Sequence, residues 1–482
     1  MFFIISVVGC YEDKGNYDYK DLSEVEISGI DEEYTVNIGS EFSISPKLTY
    51  KDEGIKNIKY TWKINDKVIS EEKELNIVVD GLEVKPNQYS EFDVTDVDNG
   101  IVYSKLFRIS VESTFKNGWL LLSDGGNSST LDFIRQDGKI YNNVYERANK
   151  EKLSGGAQSI CEHFLPWSEE TGQIFVACDK APAYSVELDG NSFIKMISTK
   201  DEFEGGIPDD FKPMGMKCVS SYDYLFSNGK LYVRNDNSGL DSHYQSGSFP
   251  NFPVPGEYKF SNILFKGNFV MSSDIYGFDE NSKSYLMIRN GLISKFDYVN
   301  DKYQKFIPYD MNMDLLAAGA YSTTSPSDKF ISILKNNIND EVHVHSFGFV
   351  GWGSKKYYSI KDTIFPDNSI IKTTSKYAIC LNRPYVYIAS DGVLYQYNRL
   401  ANTITNIRDF GREIRDIEIC STDQEKLGVV LVNALDNNRS DFYLLDVSIV
   451  GGGKTVEGYK HIGEFGKVVD LSYKVGSQWD MY

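Results

Sequence analysis

The chain has 482 residues, with 50 Lys plus Arg against 69 Asp plus Glu and a formal net charge of −19. This balance excludes nucleic acid as the main partner, because phosphate neutralisation needs clustered cations. A hydrophobic share of 41% allows a sizeable core but not a multi-spanning helical membrane protein, and 14% aromatic residues with 39 Gly and only 13 Pro point to an all-β fold.

In chain order, residues 1–20 come first. Met1 to Cys10 is an apolar run far short of the roughly 20 residues that a spanning helix needs. It ends at Val7-Val8-Gly9-Cys10, which resembles a bacterial lipobox, and it is followed at once by the charged, tether-like stretch Tyr11 to Lys20. The expectation is a lipidated Cys10 that anchors an exported chain. The other five cysteines, Cys161, Cys178, Cys218, Cys380 and Cys420, are odd in number and show no CxxC spacing, so buried free thiols are expected rather than a disulfide framework.

Residues 21–115 alternate in short runs. Ile58, Tyr60, Trp62 and Ile64 share one face of a period-two strand, with Lys59, Thr61 and Lys63 on the other and a turn at Asn65-Asp66. Two further alternating segments, ending at Asp98 and running from Ile101 to Val111, flank Asn99-Gly100 and predict a hairpin. About seven such strands around a central buried Trp predict an immunoglobulin-type β-sandwich.

Residues 116–482 open with the apolar strand Trp119 to Ser123 and continue as strand and turn, with no helical period longer than about ten residues. A tight turn before an alternating aromatic strand recurs at Asp137-Gly138, Asp189-Gly190, Asn228-Gly229, Asn290-Gly291 and Asp391-Gly392. A mean spacing of about 51 residues, the length of a four-stranded unit, predicts a β-propeller of about seven blades. Closure requires an end strand within residues 468–475 to complete the blade begun near Trp119.

Catalytic signatures are weak. There is no GxSxG elbow and no HExxH helix. Gly451-Gly452-Gly453-Lys454-Thr455 echoes a phosphate loop but has Ser448 in place of the first Gly and no following helix, so an inter-strand turn is expected. His343-Val344-His345 offers two imidazoles on one strand face, yet no third ligand stands at a recognisable spacing, and the pair is expected to face solvent. Asp310 to Asp314 and Asn235 to Gly239 are oxygen-rich but lack a full calcium-loop pattern, and ordinary turns are expected. Paired carboxylates for glycoside cleavage would come from different blades, so their spacing says nothing about them. Trp62 and Trp119 are expected in cores. Trp167, Trp352 and Trp479 are expected as half-buried packing residues, with the first two in loops where a ring could stack on a ligand.

The start Cys10 to Tyr19, the strand bearing Tyr60 and Trp62, the hairpin Val94 to Val111 and the segment Gly118 to Ser123 together resemble the PKD-like lipoprotein family of the Bacteroidetes. The acidic residues after Cys10 resemble the surface-export signal of such lipoproteins. The resemblance implies a surface lipoprotein with a PKD/Ig-like domain and a propeller-like domain, accessory to SusC/SusD-type uptake systems in which a TonB-dependent barrel and a lidding SusD-like lipoprotein import oligopeptides or glycans. The resulting expectation is a non-catalytic binding or scaffolding protein at the outer membrane and cell surface, with no cofactor or metal and an unassigned ligand site. The alternatives are a secreted polysaccharide hydrolase or lyase working in the propeller funnel, and a surface adhesin.

Overall fold

The computed structural model describes residues 24–38, 40–51, 57–79, 82–164, 172–219, 222–235, 248–267, 274–297, 304–322, 329–350 and 356–476. Cys10, Trp167, Trp352, Trp479 and residues 236–239 lie outside them. The chain divides into two compact units between Glu112 and Ser113. Among the described residues its regular structure is almost entirely strand, and the one α-helix is the single turn and a half Val144–Asn149. None of the described helices is long and apolar enough to cross a membrane.

The first unit is a small sandwich. Its main sheet has five strands, in the order Glu33–Asn37, Ile101–Glu112, Gln88–Asp96, Ile58–Ile64 and Lys67–Ser70, and two two-stranded sheets accompany it. Alternation in Ile58–Ile64 drives the fold, because Trp62 and Ile64 are buried while Lys59 is exposed. Trp62 is fully buried, its ring 4.2 Å from Phe92 and edge-on to Phe107, and its indole N–H donates to the Glu72 carbonyl at 2.9 Å. Both predicted turns form. Asn65 and Asp66 take positive φ between paired strands, and Asp96 pairs with Ile101 around the Asn99-Gly100 turn.

The second unit is a β-propeller with seven blades among the described residues. Blade 1 contains Gly118–Asp124, Ser128–Arg135 and the short outer strands Ile140–Tyr141 and Leu153–Ser154. Its innermost strand is Val468–Lys474 from the other end of the unit, paired antiparallel so that Trp119 lies opposite Tyr473. This is the predicted closure. Blades 2 to 7 follow in order, with inner strands Ala157–His163, Pro213–Val219, Phe265–Lys266, Met313–Ser322, Lys376–Ile379 and Ile414–Ile419. Three strands are described in blade 3 and four in each of the others from blade 2 onward.

From Ala157 to Val468 the inner strands start at steps averaging about 52 residues, close to the predicted repeat. The individual spacings of the sequence repeat are irregular for a structural reason. Asn228-Gly229 and Asp391-Gly392 turn between second and third strands, whereas Asp137-Gly138 and Asn290-Gly291 turn between third and fourth. Asp189-Gly190 is not a tight turn of this kind. There the positive φ falls on Phe193, and Asp189 accepts backbone N–H bonds from Asn191 and Ser192.

Blades pack through apolar faces in which small residues admit large ones. Trp119 is 2% exposed and lies against Phe442, Tyr473 and the backbone of Gly428. The five cysteines of this unit are free thiols, and all but the half-buried Cys161 are buried, in keeping with small apolar side chains.

Candidate functional site

The inner strands ring a channel, and it is lined by charge. Asp416 and Glu418 on blade 7, Asp470 on blade 1, Glu162 on blade 2, Lys217 on blade 3, Lys266 on blade 4 and Lys376 on blade 6 are all half-buried. An inner strand leaves one edge of its ladder unpaired, so its N–H groups need acceptors. The carboxylates supply them. Asp470 accepts from the Ile160 N–H at 2.7 Å, Asp416 from Leu471 N–H at 2.9 Å, and Glu162 from Val475 N–H at 3.1 Å, each bond joining one blade to the next. Crowding of these groups shifts their protonation. Burial pushes Glu162 and Glu418 up to about 8 and Asp416 to about 6, and burial with the nearby Asp416 carboxylate holds Asp470 well above the carboxylate range. Burial also lowers the Lys266 ammonium, which donates to the Cys218 carbonyl at 3.0 Å.

A second cluster sits inside blade 3 and against blade 2. Arg234 is fully buried and donates to Asp223 and Glu187 at 2.7 Å each, and to Glu202. Its guanidinium lies 4.6 Å from the Phe249 ring. Three carboxylates around one cation are in excess of charge. Burial accordingly raises Glu187 and Glu202, whereas Asp223, despite the same burial, is held below its usual range by His163 and Arg234. The residues come from strands far apart in sequence, which is why no motif announces them.

At one mouth of the propeller, blades 6, 7 and 1 form a cleft of about 1080 Å³. Its wall is built from the turns between second and third strands and the segments leading into inner strands. The charged lining is Lys376, Arg412, Arg415 and Lys467 against Asp391 and Glu413, cationic in an acidic chain, and among the described residues it carries no aromatic ring. Asp391-Gly392 belongs to this wall, so a turn that the sequence marked as structural shapes the cleft. Arg412 is held by Asp441, and Arg415, 9% exposed, donates from one nitrogen to the Asn437 carbonyl while its Nη1 has no hydrogen-bond partner among the described residues.

Gly451 to Lys454 is an inter-strand turn, as expected, and its amides are consumed within it. Gly451 N–H donates to Ser448 Oγ, Gly452 N–H to the Ser448 carbonyl and Gly453 N–H to the Asp446 carbonyl, leaving no cradle for a phosphate. Asp310 and Asn312 adopt the positive φ of a turn, and Asp314 is engaged by Lys283 at 2.6 Å. The expectation that His343 and His345 face solvent is overturned. Both rings lie on the face of blade 5 that packs toward blade 4, and His345 is 1% exposed, stacked 3.7 Å from Phe306. Burial lowers His345 to about 4, so its imidazole is neutral. The missing third group is Asp362, opposite His345 on the adjacent strand Lys356–Ile364. A hairpin reading of the two strands was the available signal. The pairing register, not the spacing along the chain, brings Asp362 to the histidines.

Residues 10–156 match the model of the PKD-like family. No curated protein matches the chain. Among solved structures, a quinonprotein alcohol dehydrogenase-like protein from Bacteroides thetaiotaomicron superimposes with a TM-score of 0.44 at 11% identity, covering 92% of this chain and 96% of that one. The β-propeller domain of Cps50 from Myceliophteria thermophila gives 0.38 at 9% identity over 66% and 93%. The WD40 domain of Neurospora crassa Pan2 gives 0.37 at 9% identity over 62% and 78%.

Proposed function

We propose that this chain is a non-catalytic binding lipoprotein, held at the outer membrane through an acylated Cys10 and serving an importer of oligopeptides or glycans. The TonB-dependent barrel and SusD-like lipoprotein of such an importer are the proposed partners. The observation that carries the reading is the mouth cleft: a polar concavity at the upper end of ligand-site volumes, with cationic side chains fixed by neighbouring carboxylates and carbonyls. The lack of aromatic rings among its described residues disfavours stacking on neutral sugars and favours a ligand that bears carboxylates, such as an acidic oligopeptide or a uronic-acid glycan. The channel carboxylates support the non-catalytic half of the proposal, since Asp416, Asp470 and Glu162 are occupied in tying blades together.

Two experiments test it. Purification of the full chain from solubilised outer membranes is expected to bring a barrel partner with it, and a lone monomer counts against the importer role. Titration with acidic and neutral oligopeptides and glycans is expected to show binding that Arg415→Ala weakens by tenfold or more, about 1.4 kcal/mol. Unchanged binding in that variant removes the cleft as the site. A second reading, polysaccharide hydrolysis or lysis in the channel, rests on Glu418, which stays protonated near neutrality beside Asp416. It requires turnover by the wild-type chain that Glu418→Gln abolishes.

A further inference from the structure

We propose that His343, His345 and Asp362 form a binding site for a divalent first-row transition ion of the zinc class on blade 5. One ligand atom from each of the three residues lies within 4.8 Å of the others. His343 Nδ1 is 2.9 Å from Asp362 Oδ1, and His345 Nε2 is 3.6 Å from the same oxygen. Ligands bonded at about 2.0 Å around a tetrahedral ion stand roughly 3.3 Å apart. The two separations bracket that value.

The backbone makes this arrangement. His343 and His345 are two apart on the strand Val342–Val350 and therefore share a face. The antiparallel register sets Asp362 opposite His345 and Ile364 opposite His343. The Phe306 ring, stacked at 3.7 Å, fixes the plane of the His345 imidazole. A separate observation points to a ligand. Among the described residues neither ring nitrogen of His345 has a hydrogen-bond partner, although the residue is 1% exposed. Buried polar atoms are ordinarily satisfied, and a coordinated cation satisfies this one where no donor or acceptor of the described residues does. Asp362 is exposed and provides the entry route from solvent. The second nitrogen of His343 faces Glu341 at 3.8 Å, the placement of an outer carboxylate that orients a metal-bound imidazole.

The donor chemistry selects the ion. Two imidazoles and one carboxylate suit zinc, cobalt, nickel or copper, whereas calcium and magnesium require oxygen-rich shells. Three protein ligands leave a fourth position for water or for a group on a bound molecule. The second His-containing cluster, His163 with Cys218 and Asp223, is wholly buried and has its carboxylate committed to Arg234. It serves as the internal control.

The test uses the full chain, purified without a histidine tag and stripped with a chelator. Titration with Co²⁺ is expected to give one ion per chain with the visible absorption of a four-coordinate site, displaced by Zn²⁺ and unaffected by Mg²⁺ or Ca²⁺. Asp362 is an exposed position, so Asp362→Asn is expected to fold, and it is expected to lower affinity by about 100-fold or more, beyond the 10- to 100-fold cost of losing an outer partner. Zn²⁺ is expected to raise the melting temperature of the wild type and not of Asp362→Asn. Failure of the stripped chain to take up Co²⁺ or Zn²⁺ overturns the proposal. So does uptake that persists at full affinity in both Asp362→Asn and His343→Ala, which places the ion elsewhere.

Discussion

Arg234 shows how a single side chain governs a region. Removing it leaves Glu187, Glu202 and Asp223 facing one another at 1% side-chain exposure. Arg234→Met is therefore expected to cost about 3–5 kcal/mol, read as a lower denaturant midpoint. Because Glu187 and Glu202 are raised, the loss is expected to shrink toward acid pH, where both are protonated, and to grow toward pH 8. Glu418 gives the complementary case. Its native carboxyl holds its proton up to about pH 8, while the unfolded chain releases it near 4.5, the ordinary value of a glutamate. Its contribution is thus fully present below about pH 4.5 and lost as pH rises toward 8. Glu418→Gln is expected to flatten part of the fall in melting temperature between pH 5 and 8, and Glu162, raised to the same level, accounts for part of what remains. An unaltered slope in Glu418→Gln would show that the channel carboxyls ionise freely.

At the scale of strands and turns, what could be read in advance was whatever the local backbone demands. Asn228-Gly229, Asn290-Gly291 and Asp391-Gly392 all place positive φ on both central residues, a requirement that only such pairs meet at low strain, so these turns were legible. The half-burial of Ile58–Ile64 and the closing strand near residue 470 were legible for a similar reason, since period and length are local properties. Cross-strand partners were not. Nothing in the spacing from His345 to Asp362 states that they pair, because that depends on the bulge between Ser346 and Phe347 in the pairing of their strands. The Arg234 cluster and the mouth cleft are assembled from several blades and were equally silent. Gly428 makes the packing between elements testable. A Cβ there would stand 2.7 Å from the Trp119 ring and 3.0 Å from Leu471, so Gly428→Ala is expected to destabilise the second unit by about 1–3 kcal/mol in thermal or denaturant unfolding. A neutral substitution would mean that the blade 7 to blade 1 packing is loose.

The whole chain is two cores joined at Ser113, each with its own buried tryptophan. Unit 113–482 expressed alone is expected to melt within a few degrees of its transition in the full chain, since its ring closes on its own strands. A large downward shift would show that the sandwich stabilises the propeller. The net charge of −19 adds a global property: the cationic cleft is set in an acidic surround, so capture of an acidic ligand is expected to be slower than a cationic surface would allow and to accelerate with added salt.

The clasp between Gly118–Asp124 and Val468–Lys474 also has a mechanical meaning. The two strands are antiparallel, and Gly118 lies opposite Lys474, so the chain enters one strand and leaves the other at the same end of the ladder. Tension applied through those two exits peels the hydrogen bonds one pair at a time, the softest direction in which to load a ladder. A pull that enters through the Gly118 side and leaves through the cleft instead spreads across blades whose strands are laced by the Asp416 and Asp470 carboxylates. Loaded at those two exits, the clasp is therefore expected to open before the blades laced by the carboxylates do.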